Sequence, residues 1–251
     1  MRTLACFIFL ALVYTTKGTP SPHIIGGQPA DIGEFPYQVS LKVNDRHQCS
    51  GSIINNRTIL TAADCVVWLA SWQITVHGGT NKLDTRGHVH EVESVTIHPK
   101  YLKEPYTNNI ALVHLKAAFK YNPLEQSINL ATTDIDIEDK SCTLAGWGAT
   151  RVTGEDFSNS LLKIQLKGYS LEKCARDWQM WGYGKIRNNQ VCTQTKRELY
   201  GACLGDFGGP LVIDGVQIGI LSMTGKPCTL LPAVYMKVTS FLPWILSNMK
   251  N

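Results

Sequence analysis

Beyond residue 15 the 251-residue chain has no apolar run approaching the ~20 residues that an α-helical membrane span requires. Charge is scarce: Asp, Glu, Lys and Arg make up 18% of the chain, and the signs nearly cancel. Residues 1–23 hold Arg2 and Lys17 and no acid, which leaves 22 basic against 20 acidic side chains, a net of +2. So small a balance argues against a strong polyanion binder, and no nucleic-acid or heparin-type partner is expected. A 44% hydrophobic fraction excludes a disordered chain. There is no internal repeat and no low-complexity linker. His88 and His90 share one face of an expected strand, with Glu91 and His98 close in sequence. No third ligand has dependable spacing, so they are read as solvated strand residues, and neither metal nor cofactor is expected.

What is present begins with a targeting segment. Arg2 precedes an apolar stretch, 4–14, which small and polar residues follow at 15–18. That is the pattern of a secretory signal peptide over residues 1–18, too short to anchor in a membrane. Secretion implies oxidising conditions. Cys6 leaves with this segment, and the seven remaining cysteines are an odd number, so one is unpaired or bridges to another chain. The β-branched or alternating segments 37–43, 72–76 and 88–95, with turn formers about every ten residues, predict an all-β sandwich or barrel. Residues 241–249 read as a C-terminal helix with Pro243 in its first turn. Charge is uneven locally. Residues 160–200 hold eight basic side chains against three acids, and 134–139 hold four acids in six, both read as solvated surface.

Four segments then carry a resemblance, in order: Ile24-Ile-Gly-Gly27; Cys49-Ser-Gly-Ser52 leading to Thr61-Ala-Ala-Asp-Cys65; Gly146-Trp-Gly148; and Cys203-Leu-Gly-Asp-Phe-Gly-Gly-Pro210. Together they resemble the trypsin-like serine proteases of chymotrypsin fold. The likeness is greatest to mite group 3 allergen proteases and to the scabies mite inactivated serine protease paralogues. The resemblance implies two packed six-stranded antiparallel β-barrels with a C-terminal α-helix. It also implies a short propeptide over 19–23 and a peptidase-homologue domain over 24–251, with barrel 1 at about 24–125 and barrel 2 at about 126–251. The implied disulfides are Cys49–Cys65, Cys174–Cys192 and Cys203–Cys228. Cys142 is left unpaired, because the position of its usual partner is Ile213.

The resemblance breaks where the chemistry should be. Acyl transfer in this family needs a hydroxyl nucleophile, an imidazole base and a carboxylate that orients the imidazole. Their places are held by Phe207, Asp64 and Asn109. Phenylalanine has no atom that can attack a carbonyl, and a carboxylate of ordinary basicity is a poor base for a hydroxyl. The backbone N–H groups of Gly205 and Phe207 would still form an oxyanion hole. In the specificity pocket, Gly201 stands where cleavage after Lys or Arg requires a carboxylate. Thr224 and Ala233 replace wall glycines, and Met223 replaces a tryptophan, which together predict a narrowed, uncharged pocket. The calcium loop of the family falls in 78–90, where Asp84 is the one acid, so calcium is not expected.

Asp206 survives beside Phe207; in active relatives it pairs with the amine that cleavage before Ile24 releases, although His23 replaces the usual basic residue there. Asn56 begins the chain's one N-glycosylation sequon, Asn56-Arg57-Thr58, in an expected turn. The loop between Cys174 and Cys192 offers Trp178, Trp181, Tyr183, Lys185 and Arg187, residue types that dominate binding hot spots, as a partner-binding face. The reading is a secreted pseudoprotease acting as a protein-binding module, and the kinship implies inhibition of host complement through host plasma or complement proteins. The alternatives are rebuilt hydrolase chemistry using Asp64 or Ser222, and a non-catalytic cofactor of another protease. Retention of Asp206 implies that the mature chain begins at Ile24. N-terminal sequencing of natural material checks this, and a start upstream would refute it.

Overall fold

The computed structural model describes residues 25–104, 106–151, 153, 156–182, 184–195 and 200–250. Ile24 and Tyr183 lie outside them. A two-residue strand β1 (Gln28–Pro29) is followed by β2 (Gln38–Val43), β3 (Arg46–Ile53), β4 (Thr58–Thr61), β5 (Ile74–Gly78), β6 (His88–Ile97) and β7 (Ala111–Leu115). β2 to β7 close into an antiparallel barrel of order β2-β3-β4-β7-β6-β5. Then come β8 (Asn129–Leu130), β9 (Ser141–Gly146), β10 (Leu162–Tyr169), helix α1 (Leu171–Met180), β11 (Gln190–Thr193), β12 (Pro210–Ile213), β13 (Val216–Met223), β14 (Ala233–Lys237) and helix α2 (Val238–Asn248). Here β9-β10-β11-β14-β13-β12 form a second antiparallel ring, closed because β9 pairs with both β10 and β12.

The alternation along β7 shows how the barrels pack. Ala111, Val113 and Leu115 point into the first barrel's core, while Ile110 and Leu112 face outward onto Ile220, Met236 and the α2 residues Phe241 and Ile245. A strand buried on both faces reads as a continuous apolar run. Each end of the described chain is fastened to the other half: β1 pairs with β10, and α2 packs on Leu60, Ile110 and Leu112.

Several expectations are corrected. Residues 71–73 form a 3₁₀ turn rather than a strand, because the Gln73 side chain accepts the Ala70 N–H (2.9 Å), and Trp72 is left 78% exposed. α2 starts at Val238, so Pro243 sits in its second turn, where it removes only the bond to the Thr239 carbonyl. The first third of the segment between Cys174 and Cys192 is helix α1, not loop. The acidic and basic runs lie on the surface, as expected, and meet there: Lys167 pairs with Asp139 (2.6 Å) and Lys173 with Glu138 (3.2 Å), while Lys163 pairs with Glu34 (2.6 Å). Exposed pairs of this kind contribute about 0–1 kcal/mol each. His88 and His90 are not simply solvated. His88 Nδ1 (2.6 Å) and His90 Nε2 (2.9 Å) clasp the two oxygens of Glu125, which is 2% exposed.

Three disulfides join Cys49 to Cys65, Cys174 to Cys192 and Cys203 to Cys228, closing 16, 18 and 25 residues. Loops of that size stabilise by about 2–4 kcal/mol each. Cys142 is free and fully buried on β9, and the register Leu211↔Leu144, Val212↔Thr143 brings Ile213 opposite it.

Two outcomes follow from these burials. Burial pushes the Cys142 thiol up to about 11, so at pH 8 the native protein should not react with a thiol reagent such as dithionitrobenzoate. One thiol per mature chain should titrate in denaturant. For Glu125, burial alone would raise the carboxyl, but the hydrogen bonds from His90 and His88 outweigh it and hold the group below its ordinary value of 4.5. A depressed carboxyl stabilises the fold above its unfolded value and loses that contribution as pH falls. Glu125→Ala should therefore cost about 2–3 kcal/mol near neutrality. In denaturant titrations the gap to wild type should narrow as pH drops below about 4.5.

Candidate functional site

The two barrels face each other across a cleft of about 890 Å³. Asp64, Tyr106 and Asn109 line it from the first barrel; Phe157, Phe207, Ser222, Met223 and Thr224 line it from the second. Asp64 enters on the 3₁₀ turn Ala63–Cys65, anchored to β3 by the Cys49–Cys65 bridge. Asn109, fully buried ahead of β7, binds it in both directions. Its Oδ1 accepts the Asp64 N–H (2.9 Å), and its Nδ2 donates to Asp64 Oδ2 (2.9 Å) and to Ser222 Oγ (3.0 Å). The Tyr101 hydroxyl donates to Asp64 Oδ1. That hydroxyl is held above its ordinary range first by burial, then by the bond to Asp64 and its charge. Nothing in the local residues marks Tyr101 or Tyr106, because only the fold brings Tyr101 onto Asp64 and Tyr106 to the cleft.

Phe207 lies on the turn before β12, half-buried, with its ring packed against both barrel cores. Its carbonyl accepts the Ser50 N–H (2.9 Å). Gly208, at φ +80, has no room for a side chain, since a Cβ would lie 2.2 Å from Thr61 Oγ1. Among the described residues, the N–H groups of Gly205 and Phe207 have no acceptor. The Gly205 carbonyl accepts from His47 Nε2 (2.9 Å), which fixes the tautomer, so Nδ1 accepts from the Ser40 hydroxyl (2.8 Å). His47 is 8% exposed beneath Trp147 and Phe157. Burial, opposed by the Gly205 bond, pushes its imidazole down to about 4. Nothing along 46–50 marks His47 as part of this turn; cross-barrel contact alone does.

Asp206 is fully buried, with Oδ1 accepting the Gly148 N–H (2.8 Å) and Oδ2 the Cys203 N–H (3.0 Å). Burial pushes its carboxyl up to about 7 against those two bonds. Glycine is required at 148, where a Cβ would lie 2.3 Å from the carboxylate. The expected partner amine, on Ile24, lies outside the described residues.

Of the expected pocket positions, Met223 and Thr224 line the cleft, whereas Gly201 and Ala233 are buried and do not reach it. Gly201 lies between the methyl groups of Thr195 and Thr229, and Ala233 faces the second barrel's core. Trp178 is corrected as a surface candidate. It is 3% exposed, packs with Met223 and Val234, and donates to the Pro232 carbonyl (3.0 Å). Trp181 (51% exposed), Lys185 and Arg187 are on the surface. Asn56 is exposed in the β3–β4 turn. Among the described residues no cluster of His, Cys, Asp or Glu would hold a metal ion, and no helix is long and apolar enough to cross a membrane.

Truncating Asn109 to Ala removes three hydrogen bonds and strands the Asp64 N–H, so it should cost about 2–4 kcal/mol, read by denaturant unfolding. Asp206 titrates in the opposite sense to Glu125. Its carboxyl is raised from 3.8 to about 7, so its contribution is full below 3.8 and is lost as pH rises through about 7. Material retaining residues 19–23 should show a Tm that falls across that window. Material with a free Ile24 amine, whose charge offsets the carboxylate, should not.

The Trypsin family matches residues 24–245. Chymotrypsin-2 of Vespa crabro is 38% identical over 226 residues, covering 90% of this chain and 99% of that protein. Trypsin beta of Drosophila erecta is 31% identical over 229 residues, covering 90% and 88%. Among solved structures, neuropsin, a serine protease expressed in the limbic system of mouse brain, aligns at TM-score 0.80 and 29% identity, covering 89% of this chain and 99% of its own. Scabies mite inactivated protease paralogue S-D1 aligns at TM-score 0.82 and 24% identity over 89% and 96%, a likeness of fold. With two closed six-stranded barrels, the inter-barrel cleft and this sequence match, the chain belongs to the trypsin family of chymotrypsin-fold serine proteases.

Proposed function

We propose that this chain is a secreted, proteolytically inactive trypsin-family protein that works by binding other proteins, and that host plasma or complement proteins are its partners. The observation that carries the reading is Phe207, a benzyl group where an acyl acceptor must stand. No neighbouring group supplies the missing chemistry. Ser222 Oγ is buried and accepts from Asn109; Asp64 is engaged by Asn109 and Tyr101; and the Ser40–His47 pair lies beneath Phe157, closed to a substrate in the cleft. Loss of a triad in a protease of convergent design costs on the order of 10⁶-fold in rate. The three disulfides fit an oxidising compartment, and scabies mite inactivated protease paralogue S-D1 shares the fold. Trp181, Lys185 and Arg187, with Tyr183 on the same segment, offer an exposed aromatic and basic binding face.

Three measurements test this. A fluorophosphonate probe should leave the mature protein unlabelled, and a stoichiometric adduct would refute the reading. The triple variant Asp64→His, Asn109→Asp, Phe207→Ser should give no efficient cleavage after Lys or Arg, because Gly201 and Ala233 are walled off from the cleft. Brisk turnover would show that a usable pocket opens. Pull-down from host plasma should retain defined partners, and combined Ala substitutions at Trp181, Lys185 and Arg187 should weaken retention about tenfold or more.

A further inference from the structure

We infer that the cleft receives a basic side chain, Lys or Arg, of a protein partner and seats its cation on the Asp64 carboxylate. This deepens the binding reading above and rests on it.

The seat is a negative charge on an apolar wall. The cleft that Asp64 lines is also lined by Tyr106, Phe157, Phe207 and Met223. The one described basic residue on its lining, Lys226, is exposed and makes no ion pair with Asp64, nor does any other described Lys, Arg or His. The carboxylate is held in place before any ligand arrives. Asn109 fixes Oδ2 (2.9 Å) and the main-chain N–H (2.9 Å), and Tyr101 fixes Oδ1. An ionised carboxylate offers about four acceptor sites. Two are used here, so capacity remains for the donors of an ammonium or guanidinium group.

The surroundings select for a cation. Aromatic faces attract one by roughly 0.5–2 kcal/mol, and Tyr106, Phe157 and Phe207 line the same cleft. Tyr106 stands at φ +57, a conformation rare for a bulky side chain. A short hairpin in which Leu102 and Thr107 exchange two hydrogen bonds (3.1 Å each) maintains it. Its hydroxyl is raised first by burial and then by the Asp64 and Glu104 charges, so the field of Asp64 reaches the rim. A cleft of about 890 Å³ is of the size that encloses one long side chain with its flanking backbone. An acidic side chain is repelled here, and a neutral one leaves the carboxylate unmatched.

The test uses the full mature chain and two blocked pentapeptides, acetyl-Ala-Ala-Arg-Ala-Ala-amide and its citrulline counterpart, which has nearly the same shape without the charge. Calorimetry should show the arginine peptide binding roughly tenfold or more tightly than the citrulline peptide. The preference should shrink with added salt and vanish in Asp64→Asn. Equal affinity, no binding of either peptide at about millimolar concentration, or an arginine preference that survives Asp64→Asn would each overturn the inference. If Asp64→Asn does not fold, the arginine-to-citrulline ratio on the wild-type chain decides alone. Plasma capture without an arginine preference sinks the cation seat and leaves the binding reading standing. A fluorophosphonate adduct sinks the binding reading whatever the peptides do.

Discussion

The turn from Cys203 to Pro210 is what the two barrels share, and it is held through its backbone. Ser50 on the first barrel donates to the Phe207 carbonyl, Gly208 donates to Leu221, and Leu221 donates back to Gly209. Asp206 ties its other side to Gly148. None of these bonds involves the side chain at 207. The fold therefore depends on glycine, aspartate and main-chain geometry at this turn and is indifferent to whether residue 207 bears a hydroxyl. A phenyl ring even suits the seam, because it touches the cores of both barrels. Scaffold and side chain are separable here, because the bonds that hold this turn do not depend on what residue 207 carries.

The same logic explains Asp64 and Asn109. Active sites commonly hold groups poised for a partner at some cost in stability. In this cleft the amide and the carboxylate satisfy each other, with Ser222 and Tyr101 completing the set. An unpaired buried polar group costs about 1–3 kcal/mol, so a network that satisfies its buried amide is the cheaper state.

Much of this was legible in the residues, and the division follows sequence range. Strand periodicity reaches only an all-β sandwich or barrel; the two barrels and the disulfide pairing follow from the resemblance that the short motifs around Cys49, Trp147 and Asp206 carry. The free state of Cys142 follows from the resemblance, since Ile213 holds the place of its usual partner, and the structure shows that thiol free. What escaped was set by contacts between distant segments. Glu125 looked like one acid of many until β6 brought His88 and His90 onto it. Trp178 gives no local sign of its burial, because the Pro232 carbonyl it binds lies 54 residues away. His47 gained its role from a carbonyl 158 residues away. The acidic and basic runs read as solvated surface, but the two pairs they form, Lys167 with Asp139 and Lys173 with Glu138, are set by the fold.

The fastening of β1 to β10 and of α2 to Leu60, Ile110 and Leu112 has a bearing on how the molecule comes apart. Neither half owns its outer wall: each borrows a piece from the far end of the chain. Protease nicking between the halves would then liberate no durable fragment, and heat should melt both barrels in one event despite their separate interiors.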